Sequence, residues 1–181
     1  MAWPLAVQAQ EMEDAGDGPR LRTMHETQIA DLIQMKEKYA SLAEAFPADM
    51  LDWRPMEGVR SVRDVMALAA AEAYLFPTMW GFEAPARVRP GFTDELARLG
   101  ALPKPELIDE INVAFAHFIE IVENMNGADR YRETSFFGRT VDLQTAIMLA
   151  ATDMHEHLGQ AIAYARTNRV VPPWSRRDGG N

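Results

Sequence analysis

The 181-residue chain contains no cysteine, which excludes thiolate nucleophiles, disulfides, zinc ribbons and cysteine-held iron-sulfur clusters as properties of this chain. A thiol can enter its chemistry only as a substrate. Basic residues are in deficit as well: 18 Lys and Arg stand against 27 Asp and Glu, a formal net charge of -9. That balance opposes the counterion release that drives binding to phosphate backbones, so nucleic acid is excluded as a partner. The few basic groupings, such as Arg87 with Arg89 or Arg176 with Arg177, read as solvated surface. No stretch approaches the roughly 20 apolar residues needed to cross a bilayer, and neither an internal repeat nor a strand-rich region emerges.

What remains is an ordinary globular balance, 48% hydrophobic and 25% charged, that suits one compact domain. A chain of this size buries roughly two-thirds of its unfolded surface, enough for a core without disulfides or a structural metal. Any metal would then serve function rather than folding. At the amino terminus, Met1 to Ala9 read MAWPLAVQA, with Val7 and Ala9 as small residues at the -3 and -1 positions of a signal-peptidase site before Gln10. The basic n-region and most of the apolar h-region are missing. Both a remnant of an exported precursor and a frayed tail fit these residues. Residues 1–18 read as a disordered lead-in, 19–175 as the folded bundle and 176–181 as a tail.

Apolar residues recur at helical spacing in four places. The first helix spans Leu21 to Phe46 with Ile29, Leu32, Ile33, Met35, Tyr39, Leu42 and Phe46 on its stripe, and Pro47 stops it. Ser61 is an N-cap with Asp64 three residues on, which opens a second helix carrying Val65, Met66, Leu68, Ala69, Glu72, Ala73 and Phe76 inward and ending near Pro77. Gly81 to Lys104, broken by Pro85, Pro90 and Pro103, is a long crossover with one or two helical turns at Thr93 to Leu99. The third helix opens at Pro105 and stops at Gly127; an aromatic stretch, Arg130 to Thr140, reads as a short extended loop. The fourth helix runs from about Asp142 to Asn168. The fold class is all-α: a four-helix bundle with a long crossover between helices two and three.

Asp153 and His157 stand one helical turn apart, on a face shared with Ala146, Ala150 and Ala161. Glu72 lies on the inward stripe of helix two. A carboxylate turned toward a core is costly unless it is paired or coordinated, which separates these two acids from the many surface ones. If helices two and four are neighbours, Glu72, Asp153 and His157 converge as a mixed set for a divalent metal or for proton transfer. The same residues also fit a plain internal hydrogen bond between His157 and a carboxylate. His155 points elsewhere and reads as solvated; His25 and His117 read as locally satisfied.

The segment HEHLGQAIAYARTNRVVPPWS, His155 to Ser175, resembles the last helix and tail of DinB-like proteins. LDWRP at Leu51 to Pro55, GVRSVRDVMAL at Gly58 to Leu68 and FFGRTVDLQTAIMLAATDMHEHLGQ from Phe136 to Gln160 resemble the corresponding family stretches in the same order. The resemblance implies a four-helix bundle, often a homodimer, with a divalent metal such as zinc or nickel held by one histidine on helix two and two on helix four. Those positions correspond here to Leu68, Asp153 and His157. Only His157 matches; Asp153 retains an oxygen donor, Leu68 offers none, and Glu72 stands one turn away. The resemblance also implies export, which tilts the amino-terminal reading toward a periplasmic or exported protein.

Two functions follow as expectations. One is a degenerate site, a weak metal binder or a non-catalytic small-molecule or interaction module. The other is a divalent-metal-dependent hydrolase or thiol transferase that uses Glu72, Asp153 and His157. Convergence of the three donors to within about 5 Å beside an open pocket separates them, because metal ligands each sit roughly 2 Å from the ion.

Overall fold

The computed structural model describes residues 20–176. The lead-in, with the segment that fits either an export remnant or a frayed tail, and the tail beyond Arg176 lie outside the described residues. In chain order the elements are α1 (Met24–Ala45), α2 (Val62–Met79), α3 (Phe92–Gly100), α4 (Lys104–Asn124), α5 (Gly127–Arg130), β1 (Glu133–Phe136), β2 (Arg139–Asp142) and α6 (Leu143–Thr167). The four long helices α1, α2, α4 and α6 are the four read from the sequence, and α3 supplies the helical turns expected in the crossover.

Local chemistry sets the boundaries. Thr23 forms a capping box with Glu26, so α1 begins at Met24 rather than Leu21. Ser61 and Asp64 form the expected box at the start of α2. Pro77 does not end that helix, which continues to Met79. Proline removes only its own N–H, and its φ is helical, so a closing turn still fits after it. Asp142 opens α6 by accepting the Thr145 amide at 2.7 Å. Ile33, placed on the inner stripe by spacing, is 37% exposed; it stands about 100° round the helix from fully buried Leu32.

Each of α1 and α2 packs against both α4 and α6, so α1 and α2 sit on opposite corners of the bundle. Lys104 Nζ donates to the Phe46 carbonyl at 2.6 Å, which joins the start of α4 to the end of α1 and makes that pair antiparallel. Gln28 Nε2 donates to the Gln144 carbonyl at 2.8 Å, joining the starts of α1 and α6, which run parallel. Arg63 Nη1 reaches the Leu102 carbonyl at 2.8 Å, so α2 and α4 are parallel too. Two parallel neighbours need a connection that returns along the bundle, and the crossover carrying α3 is that connection. Buried alanines, among them Ala69, Ala73, Ala146, Ala150 and Ala161, keep the facing surfaces of α2 and α6 small. Closely approaching backbones bring the side chains between them within reach of one another.

The aromatic stretch after α5 is a two-stranded antiparallel hairpin with Phe136 opposite Arg139. Its two-residue turn places Phe137 at φ 47° and Gly138 at φ 75°, the pair of positive angles of a type I′ turn. The left-handed region costs a non-glycine residue about 1–2 kcal/mol. Phe136 is 1% exposed and meets Phe76 edge-on at 5.2 Å; burying such a ring stabilises by about 1.5–3 kcal/mol. That anchor offsets the turn and holds the hairpin against α2.

Candidate metal centre

α2 and α6 are antiparallel neighbours: Tyr164 Oη donates to the Arg60 carbonyl at 3.1 Å near one end of the pair. Midway along it, Glu72 faces the turn of α6 that carries Asp153 and His157. His157 Nε2 lies 3.1 Å from Glu72 Oε1 and 3.8 Å from Asp153 Oδ2. One donor atom from each of the three lies within 4.8 Å of the others. The convergence anticipated from the sequence is present.

The three differ in depth. Side-chain exposure rises from 4% at Glu72 through 18% at His157 to 33% at Asp153, so the set runs from the bundle interior to its surface. Glu72 Oε2 is buried and has no hydrogen-bond partner among the described residues. Burial pushes the Glu72 carboxyl above the usual carboxylate range, against the opposing His157 contact and with a further push from Asp153. The hydrogen bond to Glu72 raises His157 above the ordinary imidazole value, in spite of its own burial. Two carboxylates and one imidazole at this spacing suit a divalent cation, and Glu72 carries a second oxygen that is buried and unpartnered among the described residues. The donor set therefore fits the metal that the resemblance implies, with Glu72 providing what Leu68, buried one turn earlier, lacks.

A cleft of about 260 Å³ opens at Asp153, lined by Phe136, Phe137, Arg139, Leu149, Thr152 and Glu156. A larger cavity of about 340 Å³ surrounds His117 on α4 and contains none of the three residues; the geometry of donors, not size, marks the site. His155 does more than meet solvent: its Nε2 lies 2.9 Å from Asp31 Oδ2, pairing α6 with α1 while the ring stays 41% exposed. His25 and His117 stand apart from the site, and burial lowers the pKa of each.

Two neighbours were not singled out from the sequence. Tyr39 reads from spacing as core, yet its hydroxyl donates to the Met154 carbonyl at 2.6 Å, tying α1 to the α6 turn between Asp153 and His157. Burial, then the nearby Glu72 and Asp153 charges, push its phenol well above 10. Phe137 was an anonymous aromatic in a loop; only the hairpin brings it to the cleft.

Residues 31–161 match the family model of the DinB superfamily. The chain belongs to the DinB superfamily. No curated protein matches it in sequence. A DinB-like protein from Bacillus cereus superposes with a TM-score of 0.65 at 16% identity, over 82% of this chain and 95% of that one. YfiT from Bacillus subtilis, described as a probable metal-dependent hydrolase with an unusual four-helix bundle topology, superposes with a TM-score of 0.65 at 15% identity, over 88% of this chain and 97% of its own. A mycothiol-dependent maleylpyruvate isomerase gives a TM-score of 0.58 at 17% identity, over 77% of this chain but 62% of that longer one. At such identities the likeness is one of fold. This DinB bundle thus shares an architecture whose relatives carry different chemistries, and its own donors must decide its function.

Proposed function

We propose that this DinB-superfamily protein binds a divalent cation through Glu72, Asp153 and His157 and acts hydrolytically on a small molecule held in the cleft beside Asp153. The observation that carries this reading is the convergence of the three donors to within 4.8 Å, on a Glu72 carboxylate whose second oxygen is buried and unpartnered among the described residues. A divalent cation held there would supply charge to polarise a substrate oxygen. Glu72 is held rigid by burial and His157 presents Nε2 to the same point. Asp153, the most exposed of the three, borders the cleft and is placed to take a proton from a bound molecule or return one. Tyr39 holds the α6 turn through Met154. Two oxygens to one nitrogen make the set harder than a histidine-rich one, so manganese joins zinc and nickel as a candidate ion.

A second reading, a degenerate site without tight metal, is favoured by the 3.1 Å His157–Glu72 contact, which partly satisfies both groups without an ion. Metal content of protein purified without chelator, compared with an Asp153→Ala, His157→Ala double variant, separates the two. One equivalent of tightly held metal that disappears in the variant supports the first. Substoichiometric metal, unchanged by the substitutions, supports the second.

A further inference from the structure

Phe137 occupies a position that conformation and solvent both disfavour. It is the first central residue of a type I′ turn, at φ 47°, where Asn, Asp or Gly is the usual occupant. Its ring is 63% exposed, although nothing in the hairpin requires an apolar side chain there: the anchor into the core is Phe136. The ring is not loose, however. It lies 4.3 Å from the Phe136 ring and 5.9 Å, edge-on, from Phe76, so it stands as the outer member of an aromatic wall. That wall, with Leu149, forms the apolar side of the cleft that ends at Asp153. An outlier of this kind points to function when the surroundings hold it in place.

We propose that Phe137 is a specificity-determining residue that stacks on the aromatic ring of a small aryl carboxylate, with the carboxylate read by Arg139. Arg139 is the sole cationic side chain lining the cleft and has no ion-pair partner within 4 Å among the described residues. An aromatic ligand meets the exposed ring in an offset or edge-on geometry, and a carboxylate meets the planar guanidinium through paired N–H donors. The volume of about 260 Å³ lies just below the range of roughly 300–1,000 Å³ typical of drug-sized sites, which suits a molecule of one or two rings. Glu156, which also lines the cleft, disfavours a second negative charge. The orientation of the ligand, its reacting end toward Asp153, rests on the metal-centre reading above; the stacking contact does not.

The test is titration of zinc-loaded protein with 2-naphthoate, followed by naphthalene fluorescence, for wild type, Phe137→Asn and Arg139→Gln. Zinc stoichiometry and thermal midpoint are measured on the same samples. Wild type binds naphthoate saturably. Phe137→Asn keeps its zinc and keeps or raises its midpoint, since Asn suits the turn, but binds naphthoate at least tenfold more weakly. Arg139→Gln weakens naphthoate severalfold and leaves neutral naphthalene methanol unchanged. Affinity within twofold of wild type in Phe137→Asn, or tighter binding of naphthylmethylamine than of naphthoate, overturns the proposal. So does a dimer that Phe137→Asn converts to monomer with naphthoate affinity intact, which would make the ring an interface residue. A wild-type protein that takes up no zinc defeats the metal reading alone, and naphthoate is then titrated against the metal-free protein.

Discussion

Two buried glutamates face each other in chemistry rather than in space. Glu95, on α3, is 0% exposed and Glu72, on α2, 3% exposed, so each carries the cost of bringing a carboxylate out of water. Glu95 is fully served: Oε2 accepts the Arg89 amide at 2.8 Å and Arg98 Nε at 2.9 Å, and Oε1 accepts Arg98 Nη2 at 2.5 Å. Arg98 continues to Glu110, which accepts the Tyr74 hydroxyl at 2.8 Å, and this network fastens the crossover to α2 and α4. Burial raises the Tyr74 phenol to about 12, so it remains a donor there. Glu72 has one contact, to His157, and an oxygen with none among the described residues. Burial alone does not mark a site. A buried carboxylate left underserved by its own fold is what sets Glu72 apart as a candidate.

The comparison predicts unequal responses to the same substitution. Glu95→Gln removes one carboxylate from a closed ion network and leaves Arg98 with Glu110 alone, a loss of about 1–3 kcal/mol seen in denaturant unfolding. Glu72→Gln removes a desolvated charge that the fold does not neutralise, so stability changes by less than about 1 kcal/mol while metal affinity falls steeply. Equal losses in both variants would place Glu72 in the structural class with Glu95.

The next contrast is in pH. Glu72 and His157 both have folded-state pKa values above their ordinary ones, so both bind protons more tightly folded than unfolded. The stabilisation from His157 is complete below its ordinary value of 6.5 and is lost as pH rises through the higher folded value. Glu72 contributes in the same sense from its ordinary 4.5 upward. Metal-free protein therefore loses stability as pH rises across neutrality, whereas metal uptake, which displaces those protons, strengthens over the same range. Thermal midpoints with and without metal between pH 5 and 8 should diverge, and Glu72→Gln should flatten the metal-free slope.

A smaller effect sharpens the role of Leu68. Leu68→His places an imidazole one turn before Glu72. It should raise zinc affinity several-fold and shift preference from manganese toward zinc, read in competition titrations, with a modest loss of stability from the buried polar ring. Unchanged preference would show that Glu72 already completes the set.

Much of this was legible in the sequence, for identifiable reasons. The Ser61–Asp64 box and the start of α6 at Asp142, its cap, are local chemistry and lie where the sequence puts them, while α4 begins at Lys104, one residue before the expected Pro105. Asp153 and His157 share a face because 3.6-residue periodicity requires it. Joining them to Glu72 needed α2 and α6 to be neighbours, a long-range fact that periodicity leaves open and the DinB-like segments supplied only by resemblance. The Tyr39 hydroxyl contact and the His155–Asp31 pair were not legible, since each joins elements distant in sequence, and the cleft wall at Phe137 was not, since it depends on the hairpin turn between β1 and β2. Pro77 misled by two residues because a proline weakens the last helical turn without forbidding it.

The most direct test of the central claim is calorimetric titration of chelator-stripped protein with zinc and manganese, in wild type, Glu72→Gln and His155→Ala. The account predicts one site in wild type, proton release on binding, at least a hundredfold loss in Glu72→Gln and unchanged affinity in His155→Ala. Stoichiometric binding that survives Glu72→Gln, or no saturable binding in wild type, would contradict it.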